Sequence, residues 1–99
     1  MAIRSPKWLV LAALVVAAPD TPGVYELWDD DEVLCVRGTH ERTLRQELVH
    51  ELLETRGRAT HFSWEITFHP DDRERELRHE LELEELASQQ HQSQSRGRG

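Results

Sequence analysis

Ninety-nine residues are enough for one small domain, and 37% apolar against 31% charged residues excludes a chain too polar to build a core. The formal charge of −7 opposes phosphate backbones, so a nucleic-acid role needs a local basic patch or a saline milieu. The single cysteine, Cys35, excludes an internal disulfide framework and points to a reducing compartment.

Lys7 is the only lysine, and every other basic residue is arginine. Acidic excess with scarce lysine fits a salt-in halophile or a GC-rich genome. At about 1 M salt the Debye length is near 3 Å, which screens much of the acidic repulsion.

From the N-terminus, Trp8 to Ala18 is an almost unbroken apolar run, with Arg4 and Lys7 before it and Pro19 after it. It is too short for a membrane-spanning helix, which takes about 20 residues. Ser5 as N-cap and Pro6 as first helical residue predict a buried helix that Pro19 ends. The competing reading is a signal peptide, with a basic start and small residues at Val16-Ala17-Ala18. Removal of residues 1–18 would then leave a small exported protein.

Pro22-Gly23 turns the chain. Val24 to Trp28 and Val33 to Arg37 predict two antiparallel strands around the acidic turn Asp29-Asp30-Asp31-Glu32. Thr43 to about Arg56 predicts a helix. Thr43 and Gln46 form its capping box, and Gly57 is its terminator. Leu44, Leu48, Val49, Leu52 and Leu53 gather on one side.

His61 to Phe68 is the clearest strand. Phe62, Trp64, Ile66 and Phe68 alternate with His61, Ser63, Glu65 and Thr67, which predicts one apolar face. His69-Pro70-Asp71-Asp72 breaks it and opens a charged helix from about Asp71 to Ala87. Leu77, Leu81, Leu83 and Leu86 are the apolar positions of that helix. Ser88 to Gly99 predicts a disordered polar tail. The expected domain is therefore residues 1–87 with tail 88–99. Its order of helix, strand, strand, helix, strand, helix predicts an α+β fold with a small three-stranded antiparallel sheet flanked by helices.

This order, with Pro22-Gly23-Val24-Tyr25 opening the first strand, resembles the GIY-YIG nuclease domain. It is most similar to the N-terminal nuclease domain of excision-repair incision proteins. The resemblance covers about residues 6–87, and its specificity lies in the first hairpin and the element order. Members of that family cut phosphodiester bonds with one divalent metal.

The resemblance implies that Tyr25 activates or orients the attacking water. Cys35 stands nearest the second tyrosine's place, and Gly38 falls one residue late. Leu44-Arg45-Gln46-Glu47-Leu48 stands where the family has Leu-x-x-Arg-Leu. Glu47 thus takes the arginine's place, and Arg45 or Arg42 substitutes only through a shifted register. Glu76, Glu80 and Glu84 lie one turn apart, and Glu80 best fits the metal-binding glutamate.

The implied catalytic residues are therefore Tyr25 and Arg45, with Mg2+ or Mn2+ at Glu80 if the site is active. DNA is the implied partner, no membrane is involved, and the location is cytoplasmic. The expectation is a divergent relative of nucleotide excision repair endonucleases. Its phosphodiester hydrolysis is weakened or lost, and it acts as a binding module. An active metal-dependent DNA endonuclease is the alternative. The six histidines show no metal-ligand spacing.

Overall fold

Gly23–Asp29 (β2) lies inside the sheet because the two strands that follow it in the chain both pair with it. In the computed structural model, which describes residues 6–55 and 57–96, Glu32–Gly38 (β3) pairs antiparallel on one side of β2. His61–Ile66 (β4) pairs antiparallel on the other. Tyr25 stands opposite Arg37 on β3 and opposite Trp64 on β4. The turn between β2 and β3 places Asp30 at φ 52°, and a bulge between Leu27 and Trp28 shifts the register.

The sheet has four strands, not three. Trp8–Leu9 (β1) pairs with Phe62 and His61 at the far edge, giving the order β1-β4-β2-β3. The predicted helix from Pro6 is thus corrected to a short strand followed by a helix limited to Ala12–Val16 (α1). The reason is physical. A run that is apolar on every side carries no helical stripe, and β4 offers an open edge to pair with. Ser5, the expected cap, lies outside the described residues. Leu9, Leu11 and Val16 are exposed, so the run is only partly buried.

Leu44–Leu48 (α2) begins with the predicted capping box. Thr43 Oγ1 accepts from the Gln46 amide at 3.3 Å, and Gln46 Oε1 accepts from the Thr43 amide at 3.0 Å. The helix then widens into a π-helical turn over Val49–Glu54, closed by a bond from the Thr55 amide to the His50 carbonyl. Arg56, the expected end, lies outside the described residues.

β4 stops at Ile66, and Ile66 and Phe68 are exposed. The expected apolar face therefore fades past Trp64. Pro70–Arg96 (α3) continues well beyond Ala87, through most of the stretch expected to be a disordered tail. No proline or glycine interrupts it before Gly97, and residues 97–99 lie outside the described residues.

Strand alternation sends Tyr25 and Leu27 to one face of the sheet and Val24 and Glu26 to the other. On the first face, Tyr25, Leu27 and Phe62 pack against Val15 of α1 and Leu44, Leu48 and Leu52. On the second, Val24 and Val36 pack against Leu77 of α3, flanked by Val33 and Leu81. Gly23 is required where β2 passes α2, because a Cβ there would meet the Glu65 carbonyl oxygen and lie 2.6 Å from Leu44 Cδ1. Among the described residues, no helix is long and apolar enough to cross a membrane.

Candidate functional site

The polar cluster closest to the expected chemistry surrounds Tyr25. Its side chain is buried, and its hydroxyl has no hydrogen-bond partner. Burial pushes the phenol well above its ordinary pKa, the Glu47 and Glu51 carboxylates add to the shift, and Arg37 opposes it. A tyrosine in this setting stays protonated at neutral pH.

β3 supplies the other half of the cluster. Cys35 and Arg37 alternate onto the same face as Tyr25. Arg37 contacts the Cys35 thiol and pairs with Glu51 at 3.6 Å, and both neighbours hold the guanidinium in its charged form. Arg42 pairs with Glu47, also at 3.6 Å. The cluster therefore places two carboxylates beside the phenol, each already matched by an arginine. Glu51 sits in the π-helical turn, a feature that recurs at functional sites.

The expected trio of Tyr25, Arg45 and Glu80 does not converge. Arg45 is exposed, and its Nε donates to the carbonyl oxygen of Ala18 at 3.0 Å, which ties α2 to the end of α1. Glu80 lies on α3, which packs on the Val24 and Val36 face, while Tyr25 occupies the opposite face. A Mg2+ or Mn2+ ion held by Glu80 would thus be separated from the phenol by the sheet, and these residues do not fit a shared metal. Of the other two glutamates, Glu76 pairs with Arg73 at 3.1 Å, and Glu84 is exposed. Among the described residues, no three His, Cys, Asp or Glu side chains group as metal ligands.

Glu47, which the resemblance sets at the nuclease arginine's place, lies beside the phenol. Arg37 and Glu51 were not singled out by sequence, yet the signals exist. Arg37 is two residues after Cys35 on a strand, and Glu51 is one helical turn after Glu47. A second omission is Glu26. It is wholly buried on the α3 face, where Ser63 Oγ donates to it at 3.3 Å and accepts from Trp28 Nε1 at 3.1 Å.

Charge elsewhere is similarly matched. Among the described side chains, every lysine and arginine except Arg45 is paired with a carboxylate. Arg73 makes the tightest of these contacts, through Nε and Nη2 to the two oxygens of Glu65 at 2.7 and 3.2 Å. This joins α3 to β4.

The geometry defines a small α+β domain with a buried phenol at its centre and a surface of paired arginines. The chain belongs to the family described as Domain of unknown function (DUF7508), which matches residues 1–92. No curated protein and no solved structure matches it.

Proposed function

We propose that this chain is a divergent GIY-YIG-like domain, related to excision-repair endonucleases, that has lost phosphodiester hydrolysis and works as a cytoplasmic binding module. In this reading, β2, β3 and β4 form the family's three-stranded sheet in the order α-β-β-α-β-α. β1 is then an addition at its edge.

The single observation that carries the loss of activity is the state of Tyr25. Its hydroxyl is buried, its pKa is raised, and Glu47 and Glu51 lie beside it. A phosphodiester must reach the nucleophile's partners and meet positive charge there. A sealed phenol flanked by carboxylates offers neither access nor uncompensated charge.

The test is a cleavage assay in high salt with Mg2+ or Mn2+ on branched, nicked and plain duplex DNA. The expected outcome is intact DNA in every case. Cleavage that disappears in Tyr25→Phe would replace this reading with an active endonuclease.

A further inference from the structure

We infer that the outer edge of β3, beside the middle of α3, is a docking groove for an extended, basic peptide segment of a protein partner. The inference names a partner for the binding-module reading and rests on it.

Backbone geometry supplies the first argument. Tyr25 faces Arg37 and Leu27 faces Cys35 across the β2–β3 ladder. The Gly23 carbonyl accepts from the Thr39 amide, which fixes the phase of that ladder. By alternation, the amide and carbonyl groups of Gly38 and Val36 point away from β2, and the bulge at Leu27/Trp28 resets the phase so that those of Val33 do so too. Part of this edge is closed by α3. Arg78 donates through Nε and Nη2 to the Val36 carbonyl at 3.3 and 3.0 Å, and the Glu74 carboxylate accepts from the Gly38 amide. Among the described residues, the two backbone groups of half-buried Val33 have no such partner, while Val36 is itself buried. An incoming strand can pair with the Val33 groups, which is the established mode of β-strand addition.

Shape and charge supply the second. A groove runs along this edge with Val33, Val36 and Leu81 in its lining. Its rim is acidic. Asp31 and Glu32 have partners in Lys7 and Arg58. Glu82, Glu84 and Glu85 pair with no cation among the described residues. Arg78, the cation in the groove, is occupied by Val36 and Glu74. An extended segment alternating apolar residues with Lys or Arg matches floor and rim together. A second copy of this chain would bring the same acidic rim against itself, and DNA would bring phosphates, so both are disfavoured.

The experiment uses the full chain and two fluorescent decapeptides, one alternating Val with Lys and the other Val with Glu. Anisotropy at 0.15 M salt is expected to show saturable binding of the Lys peptide, at least ten-fold tighter than the Glu peptide. The double variant Glu84→Lys/Glu85→Lys should weaken it at least ten-fold. Val33→Pro removes an outward amide without touching the β2 ladder and should abolish it. Should Val33→Pro fail to fold by circular dichroism, amide hydrogen exchange decides, with slowed exchange expected at Val33 when the peptide binds. Overturning results are no binding, equal affinity for both peptides, binding untouched by the charge reversal or by a folded Val33→Pro, unchanged exchange at Val33, or self-association of the chain through this edge. DNA cleavage in the earlier assay would end the binding-module reading. Failed peptide binding without cleavage would end this inference alone.

Discussion

The hydroxyl of Ser63 donates to the carboxylate of Glu26 across the β4–β2 ladder, at 3.3 Å and with both side chains buried. The same hydroxyl accepts from the Trp28 indole, so one small residue serves two larger polar groups. Ser63→Ala removes both contacts at once. Leaving buried polar atoms short of a partner costs about 1–3 kcal/mol, and urea denaturation should show a loss in that range. An unchanged midpoint would mean that Ser63 is not what satisfies these groups.

Tyr25 is the only tyrosine, so its ionisation can be followed alone by ultraviolet difference absorbance. Its folded pKa is raised above the ordinary value of about 10. The folded state therefore binds the proton more tightly than the unfolded state. That contribution is fully present below about pH 10 and is lost as pH rises beyond it. Tyrosinate should appear together with alkaline unfolding, not as a separate step near pH 10. Tyr25→Phe deletes a buried hydroxyl that has no partner, so stability should be equal or higher. A clear loss of stability on that change would reveal a bond to the hydroxyl.

Two glycines should respond oppositely to alanine. A Cβ on Gly38 would lie 2.8 Å from the carbonyl oxygen of Pro70, where α3 begins against the end of β3. Backbone meets backbone there, so Gly38→Ala should cost roughly 2 kcal/mol or more. A Cβ on Gly57 meets nothing within 4 Å. Gly57→Ala should be neutral or stabilising by about 0.4–1 kcal/mol, through a less flexible unfolded chain. Melting temperatures of the two variants, moving in the same downward direction, would count against this contrast.

Asp30 occupies the left-handed region at φ 52°, where a side chain is strained and glycine is not. Its amide donates to Thr60 Oγ1 at 2.7 Å, a bond that any residue can make. Asp30→Gly keeps that bond, relieves the strain and thins the run of aspartates. The left-handed penalty of roughly 1–2 kcal/mol, less about 0.4–1 kcal/mol for the freer unfolded chain, should leave a gain of about 0.5–1 kcal/mol in thermal unfolding. A lower melting temperature would show that the aspartate side chain itself holds the turn.

The parts of the fold legible in sequence are those written in local chemistry. The capping box at Thr43 and Gln46, the hairpin around Asp30 and the start of α3 after Pro70 all depend on neighbours a few residues apart. Trp8 to Leu11 depends instead on an edge supplied by β4, which no local pattern encodes. The alternation in β4 predicted a face that stays apolar to Phe68. The cover provided by α1 and α2 ends sooner, leaving Ile66 half exposed and Phe68 almost bare. At the candidate site, the strand pattern in Val24 to Trp28 placed Tyr25 on β2, but nothing local marked Arg37 and Glu51 as its neighbours. The placing of Glu80 behind the sheet was not legible either. It depends on which face α3 covers, and Leu77 and Leu81 fit either face equally well on paper.

Thr60 joins three distant pieces. Its amide donates to the Trp28 carbonyl at 2.7 Å, its hydroxyl receives the Asp30 amide, and its carbonyl accepts from the Val10 amide at 3.0 Å. The consequence concerns birth order. Val10 is synthesised roughly 50 residues before the residue that anchors it. At about 5–20 residues per second, the run from Trp8 to Val16 waits on the order of several seconds beside the ribosome with its partner strand unmade. During that interval the apolar run has no strand to pair with, so it is the last piece of the N-terminal half to find its place.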